Sequence, residues 1–585
     1  MYLKSLGLTN FRSCLDTKIS FQSDLTVLVG ENNGGKSNII DAIRLLTLPL
    51  NGRRDRYPED DDLLRGSKES EFRIEGQYAE LSPTVKGLLI SGVPDPTKDV
   101  AFFGMRHETK VEGSIRGRTS CWAGQFIESE PEPGSTDLIR HVYLPPLRDA
   151  QKVLGSGSAT HIVSLLKHFI GDNEAHKEEF LEHVKRDGDP HDVVKEINTQ
   201  IESALDSLTN GVRPQTASLD FHAEELFDVA RDLRFRLADA GIYPEEIRSS
   251  GLGYANLLYM ATVIVELTKA READLTLFLV EEPEAHLHPQ LQMLVLEFLL
   301  EQARESSRLT PALGKPEGRI QIIVTTHSPN LTAWVSPRHL GVVRSVKTEN
   351  GEMTTHQTVC VSVDGLGLKP KALNKVSRYL DVTRSALLFG NRAFLVEGVS
   401  ESILVPIIAQ HAVLKGDSDA WRRFRGVVVV SIEGVDFKPY VEILLRRYEN
   451  ASIADLAVVV TDADPKVPGN RKNDLEELSV TFGSRDKLQV FVNERTLEHE
   501  LFQAGNEKLL KNSFLSLHPR SGDDWKARIE DMDEENRADA FVSLLADKKT
   551  RKGDFAQEVA SRISKGAPLN VPEYLVKAIK ALVAT

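Results

Sequence analysis

The chain has 585 residues, with 41% apolar and 27% charged residues and 72 Lys and Arg against 86 Asp and Glu, a formal net charge of −14. This composition excludes a fibrous or mostly disordered chain, and the acidic balance argues against a general nucleic-acid coat, whose mark is a basic excess. No run approaches the roughly 18 consecutive apolar residues of a membrane helix, Met1–Lys4 lead into an alternating pattern and not a leader's apolar core, and the scattered cysteines Cys14, Cys121 and Cys360 point to a reducing, cytoplasmic setting without a disulfide frame or structural zinc.

At about 150 residues per domain, the length predicts two to four domains. Strand-like runs Met1–Leu8 and Leu25–Gly30 come first, followed by a helix-like run from Lys36 to Leu46. Further strands are expected around Glu71–Leu81, Val100–Lys110 and Arg140–Leu144, with a loop or edge hairpin over Gly113–Thr136. From Ala159 to Asn210 the texture is helical. Val194, Ile197, Ile201, Leu205 and Leu208 form one stripe at spacings of three and four, after a break at Asp187–Pro190. Such an insert serves either dimerisation or packing on its own body. Strands resume at Leu275–Val280 and Arg319–Thr325. Gly351, Gly365, Gly367 and Pro370 punctuate a connector, and a helix-like run spans Lys371–Leu388. A second alternating block runs from Arg392 to about Val492, and a helical tail completes the chain. The expected boundaries are 1–158, 159–235, 236–350, 351–390 and 391–585.

Gly30-Glu31-Asn32-Asn33-Gly34-Gly35-Lys36-Ser37 fits the phosphate-loop pattern GxxxxGK[ST], after an apolar strand and before a helix. Glycines let backbone amides surround phosphate oxygens, and a helix N-terminus adds partial positive charge. Asn33, Gly34, Gly35, Lys36, Ser37 and Asn38 are therefore candidate nucleotide contacts, with Lys36 on the phosphates and Ser37 on a magnesium ion. The strand Leu275–Val280 ends in Glu281 and Glu282. One carboxylate suits metal coordination (Glu281), the other water activation (Glu282). His327 follows the next strand and can sit beside the γ-phosphate. The run Arg248-Ser249-Ser250-Gly251-Leu252-Gly253-Tyr254 precedes an apolar helix, where Ser250 and Gly251 suit an anion.

These pieces resemble the ABC ATPase class, and more closely its SMC/RecF-like branch. The opening Leu8-Thr9-Asn10-Phe11-Arg12-Ser13 and the run from Glu281 to Pro289 carry the likeness. The resemblance implies two heads sandwiching two ATP molecules, each Ser250 facing the other subunit's phosphate loop. The chain departs from the branch in its Ser-Gly-Leu-Gly-Tyr signature and in Glu281, where many members have Asp. The Q-loop glutamine is open between Gln77 and Gln151, with neither favoured, and Arg148-Asp149 suits the nucleotide site or its support.

In the second block, an apolar strand ends at Val396 with Glu397 and Gly398, and Glu401 follows four residues after Glu397. Another strand ends in Thr461-Asp462-Ala463-Asp464. Carboxylates at the C-terminal ends of neighbouring strands can bind one or two magnesium ions, or manganese, through oxygen. This order resembles the Toprim domain of topoisomerases, primases and some nucleases. Later come Thr496-Leu497-Glu498-His499 and the basic run Lys548–Lys552 followed by Gly553-Asp554-Phe555-Ala556.

An ABC ATPase followed by a Toprim domain resembles the OLD (overcoming lysogenisation defect) family of nucleases over essentially the whole chain. The resemblance implies an α/β fold: an ABC-type ATPase head with a helical dimerisation insert, then a Toprim domain with a helical C-terminal extension. It implies Glu397, Glu401, Asp462 and Asp464 as metal ligands, and Glu401 and Asp462 as catalytic. Glu498 would be a further ligand or supporting acid, and Lys552, with Lys549 as runner-up, the transition-state lysine. It also implies ATP, DNA, a homodimer and anti-phage defence; some members work beside a UvrD-like helicase, as in the Gabija system.

The expected function is metal-dependent DNA cleavage regulated by an ATPase. The alternative is a RecF-like repair ATPase that binds DNA structures without cutting. A transporter head has no use for the C-terminal block, and a topoisomerase or primase would want zinc modules that these cysteines cannot make. DNA contacts are expected from the clusters Arg53–Arg56, Arg422–Arg425 and Lys548–Lys552, each of which equally suits a solvated face.

Overall fold

Strands with both faces covered read as continuous apolar runs, and strands with one wet face alternate. Both kinds occur in the computed structural model. It describes residues 1–585 apart from 51, 110–116, 147–179, 181–191, 210–214, 221–233, 240–244, 247–254, 256, 259, 263, 264, 266–270, 286, 312, 313, 351, 352, 380–384, 450, 464–469 and 585. The chain divides into two units, Met1–Ser362 and Val363–Thr585.

In the first unit the strands in chain order are β1 (Tyr2–Phe11), β2 (Cys14–Ser20), β3 (Leu25–Val29), β4 (Leu48–Pro49), β5 (Glu71–Ala79), β6 (Val100–Glu108), β7 (Arg118–Ala123), β8 (Ile139–Leu144), β9 (Gln215–Asp220), β10 (Arg234–Asp239), β11 (Glu245–Glu246), β12 (Leu275–Glu281), β13 (Arg319–Thr326), β14 (Leu340–Asn350) and β15 (Met353–Ser362). An antiparallel sheet has the order β2-β1-β5-β6-β7. Its strands β1 and β5 alternate buried and more open residues. A second sheet has the order β15-β14-β3-β13-β12-β8-β4 and is parallel except for β15. At its centre, every residue of β3 and β12 is buried. A small antiparallel sheet joins β11, β10 and β9.

The helix Lys36–Leu46 buries Ile39, Ile40, Ala42, Ile43 and Leu45 in one core with Leu3, Leu6, Leu8 and Ile74 from the antiparallel sheet and Leu277, Leu279 and Ile323 from the parallel sheet. Each such Leu or Ile side chain contributes roughly 1.5–3 kcal/mol by leaving water. This packing fixes the helix N-terminus at the end of β3, so the phosphate loop is anchored on both sides.

Two expectations change in detail. The punctuated stretch after Val346 holds no simple connector: β14 and β15 pair antiparallel from Asn350↔Met353 back to Gly341↔Ser362. Polar residues such as His356, Gln357 and Thr358 broke the apolar run by which β15 would have been read as a strand. The stripe on the helix Asp192–Thr209 is buried, with Val194, Ile197, Leu205 and Leu208 at 0% exposure. That helix packs within its own unit, against β9 and the helix Pro289–Arg308, and Asn198 accepts from Leu219 N at 2.7 Å. Most of the remaining insert lies outside the described residues.

The second unit centres on four parallel strands, β16 (Arg392–Val396), β17 (Val428–Ser431), β18 (Leu456–Asp462) and β19 (Leu488–Asn493), in the order β17-β16-β18-β19. Helices follow each crossover, beginning with Val399–Ile408, Lys438–Leu445 and Arg471–Thr481. The tail helices Leu497–Gln503, Glu507–Leu517, Arg537–Asp547, Lys552–Ser564 and Glu573–Val583 share one core with the sheet. Trp525 anchors it, with ring centroids 5.7 Å from Phe514 and 5.6 Å from Phe541. Among the described residues no helix is long and apolar enough to cross a membrane.

Candidate nucleotide and metal sites

Strand order brings the first site together. β13 lies between β3 and β12, all three parallel, with Val29 beside Thr326 and Thr325 beside Glu281. The phosphate loop, His327 and the two glutamates therefore emerge at one sheet edge. Gly30 and Gly35 adopt φ of 148° and 101°. A Cβ at Gly30 would strike the Val343 carbonyl, and one at Gly35 would strike the Thr358 side chain, so no other residue fits either position. Thr358 sits on β15 and its hydroxyl donates to the Gly34 carbonyl at 3.1 Å, so the unforeseen strand braces the loop.

Lys36 Nζ donates to the carbonyls of Gly30 (2.9 Å) and Glu31 (2.8 Å) and lies 3.4 Å from His327 Nδ1. His327 Nε2 in turn is 3.6 Å from Glu282 Oε1. Burial lowers the Lys36 ammonium to about 8, against the pull of Glu282, Glu284, Glu31 and Glu281. Glu282 has φ 45°, a left-handed setting held by its N–H donating to the Thr325 carbonyl at 2.9 Å. A cavity of about 980 Å³ is lined by Asn33, Gly34, Gly35, Lys36, Ser37 and Asn38 together with Arg12, Glu282 and His327.

Glu281 is buried and accepts the Tyr143 hydroxyl at 2.8 Å, while its Oε1 has no hydrogen-bond partner. Burial raises its carboxyl, opposed by hydrogen bonds from Tyr143 and Ser37. Ser37 thus lies beside Glu281, as a shared metal site requires. Asn38 lines the cavity, but its amide is committed to the opening motif: its Oδ1 accepts from Arg12 at 3.0 Å and its Nδ2 donates to Ser13 at 2.8 Å. Ser250, Gly251, Arg148, Asp149 and Gln151 lie outside the described residues. Gln77 sits on β5, accepting from Ser5 at 2.9 Å, and does not line this cavity.

Sequence inspection missed Tyr143 and Glu284. Glu284 accepts from the His327 backbone N–H at 2.7 Å and so aims the histidine. Tyr143 carries no motif of its own; its place follows from β8 pairing with β12, with Leu279↔Tyr143 in register.

The second site is built the same way. β16 and β18 are parallel neighbours with Val396 opposite Val460, so Glu397 and Asp462 leave the same edge. Glu397 Oε1 accepts from Asp462 N at 2.8 Å, from Arg471 at 2.8 Å and from the Thr461 hydroxyl. Asp462 Oδ1 accepts from Asn493 at 2.6 Å, its register partner on β19. Glu401 stands in the first turn of the helix Val399–Ile408 and accepts from Gly398 N at 3.1 Å. Ser400 bridges Glu498 (3.3 Å) and the Lys552 carbonyl (3.4 Å), which ties three distant segments to one point.

Burial and the charges of Glu397, Glu401 and Glu498 push Asp462 up to about 7, against its hydrogen bond from Asn493. Burial also raises Glu401, with Glu498 adding to the effect and Lys552 opposing it. Glu397, Glu401, Asp462, Glu498 and Lys552 are therefore one electrostatic cluster. Among the described residues no three His, Cys, Asp or Glu side chains converge tightly enough to cage an ion. Asp464 lies outside the described residues, and Glu397 is turned to Arg471, which the sequence did not flag. Of the basic run, Lys548 pairs with Asp524 and Lys549 takes φ 52°. Arg54 donates to the Leu45 carbonyl at 2.6 Å and Arg56 to Asp62 at 3.3 Å, so that cluster is largely structural.

A family model for the AAA ATPase domain matches residues 1–86 and 158–332. A model for the "Overcoming lysogenization defect protein-like, TOPRIM domain" matches residues 388–464. The chain is 24% identical over 442 residues to the Old nuclease of Escherichia phage P2, covering 68% of each protein. It is 21% identical over 434 residues to Endonuclease GajA of Bacillus cereus (strain VD045), covering 69% of this chain and 67% of that one. A solved SMC head bound to the C-winged helix domain of ScpA aligns with a TM-score of 0.41 at 19% identity, covering 62% of this chain and 98% of that one.

Proposed function

We propose that this chain, which belongs to the OLD family of nucleases, is a metal-dependent DNA endonuclease controlled by its ATPase unit and acting in defence against phage. The observation that carries this reading is the carboxylate cluster of Glu397, Glu401, Asp462 and Glu498, with Glu401 and Glu498 buried, the other two half-buried and Lys552 beside them. Four acids kept partly out of water repel one another and want a counter-cation. Oxygen donors alone suit Mg²⁺ or Mn²⁺. Glu397, Glu401 and Asp462, with Asp464 and Glu498, would hold it. When bound, the ion lowers the pKa of water and neutralises charge on a phosphate.

The chain's own residues have separable tasks. Asn493 orients Asp462, Gly398 N–H orients Glu401, and Ser400 fixes Glu498 relative to the start of the helix that carries Lys552. Lys552 would meet the negative charge that builds on the scissile phosphate. A pure DNA-binding scaffold of the RecF kind would not need acids and a lysine in this arrangement.

In the ATPase unit, the buried unpartnered Oε1 of Glu281 and the neighbouring Ser37 fit a magnesium ion carried with ATP. Lys36 and the loop amides would hold the phosphates. Glu282 would take the proton from attacking water, and His327, held between Lys36 and Glu282, would sense the γ-phosphate. Ser250 and Gly251 would complete the site of a second subunit in a homodimer. A cytoplasmic location and a UvrD-like helicase partner belong to the same reading.

Cleavage of supercoiled plasmid with Mg²⁺ or Mn²⁺, with and without ATP, tests it. Glu401→Ala and Lys552→Ala are expected to abolish cutting. Undiminished cutting by both variants would sink the assignment.

A further inference from the structure

Two members of the carboxylate cluster, Glu397 and Asp462, also line a cavity of about 300 Å³ together with Arg471, Arg495, Thr496 and His499. We propose that this cavity is a phosphodiester subsite, which seats a backbone phosphate of the nucleic acid next to the one that is cut. The proposal rests on the nuclease reading for the identity of the phosphate's owner.

Three observations carry it. His499 is only 6% exposed at its side chain, and its Nδ1 has no hydrogen-bond partner. The Thr496 hydroxyl is equally buried and unpartnered. A buried polar atom left unpaired is costly, so two at one cavity point to a ligand that completes them. Both groups can donate a hydrogen bond, which suits acceptor-only phosphate oxygens.

The second observation is cationic. Arg495 brings a guanidinium to the cavity beside Arg471, whose Nη1 is already given to Glu397, Thr461 and the Asp462 carbonyl, and arginine matches phosphate geometry with paired N–H donors. The third is how Arg495 is held. It donates to Asp539 Oδ1 at 2.9 Å, and the same oxygen is 3.5 Å from His499 Nε2. Arg495 and Asp539 are 54% and 49% exposed, and solvent screens such a pair until it holds its partners only weakly. A phosphate can therefore displace Asp539 at little cost. Asp539 acts as a placeholder that keeps Arg495 and His499 aimed. Val435, 53% exposed, and Val542 form an apolar lip that suits a sugar.

The test is fluorescence anisotropy of a labelled duplex without divalent cation, so that no cutting occurs, repeated across salt concentrations. Arg495→Ala is expected to weaken binding about three- to tenfold, alike for unrelated sequences, and to lower the slope of log affinity on log salt by about 1. Asp539→Asn, which removes the competing carboxylate, is expected to tighten binding, a direction that misfolding does not produce. Unchanged affinity and slope in a folded Arg495→Ala protein would overturn the proposal. Cleavage by Glu401→Ala is scored separately: cutting at the parental rate refutes the nuclease site, whereas the Arg495 result refutes only the subsite.

Discussion

The Tyr143 hydroxyl donates to the Glu281 carboxylate across neighbouring strands of the ATPase sheet, at 2.8 Å. Arg44 lies over the same tyrosine ring at 3.8 Å, which fixes the ring from its other side. Glu281 is buried and its carboxyl is raised by that burial, so each donor that keeps it ionised matters. A hydrogen bond to a charged group is worth about 1.5–3 kcal/mol. Tyr143→Phe is therefore expected to weaken magnesium-dependent nucleotide binding about tenfold with the fold intact. Titration of a fluorescent ATP analogue at several magnesium concentrations measures it. Parental magnesium dependence would show that Tyr143 only fills space.

Lys36 gives a pH signature. Burial lowers its ammonium to about 8 from the ordinary lysine value near 10.5. Bound phosphates favour the charged form, so nucleotide binding raises that value again. Affinity should then be flat below pH 8 and fall above it, by at most about tenfold per pH unit. Above pH 8, binding should take up a proton, which calorimetry in buffers of different ionisation enthalpy detects. A flat affinity from pH 7 to 9.5 would remove Lys36 from the phosphate contacts. Lys36→Ala is expected to lose ATP turnover yet keep divalent binding by the second unit; loss of both would break the two-site description.

Much of this was readable in order along the chain, because it depends on local patterns. Leu25–Val29 followed by Gly30 to Ser37 predicts strand, loop and helix by composition alone, and Val396-Glu397 and Val460–Asp462 place acids at strand ends in the same way. What escaped depends on strand neighbours. Tyr143 meets Glu281 only because β8 lies beside β12, and Thr358 braces Gly34 only because β15 folds back on β14. Arg471 looked like an ordinary helix start, and nothing local predicts its 2.8 Å bond to a carboxylate 74 positions earlier. Asp464 and the signature around Ser250 remain readings of sequence.

The family resemblance puts Lys552 first and Lys549 second for the transition-state role, and the settings of the two differ. Lys552 opens the helix Lys552–Ser564, with its carbonyl bonded to Ser400 and its charge acting on Glu401. Lys549 sits at φ 52° in the preceding turn. Removing a group that meets transition-state charge costs about 10²–10³ in rate. Lys552→Ala should therefore cut at least a hundredfold more slowly, and Lys549→Ala within about fivefold of the parent on the same plasmid assay. The reverse ranking would move the role to Lys549.

Arg471 offers the sharpest test of the carboxylate cluster. Its guanidinium holds Glu397 and also donates to the Thr461 hydroxyl and the Asp462 carbonyl, so one cation offsets the repulsion among these acids. The Arg471 and Glu397 side chains are about one-fifth exposed, at 20% and 19%, so solvent screens the pair only in part. Arg471→Ala should cost about 1–3 kcal/mol of stability in protein stripped of divalent ions. A bound divalent cation would replace the missing charge, so Mn²⁺ should raise the melting temperature more in Arg471→Ala than in the parent. Stabilisation by metal is a binding readout and needs no cleavage. Equal shifts in the two proteins would show that Arg471 and the ion act on different groups, and Glu397 would then leave the ligand set.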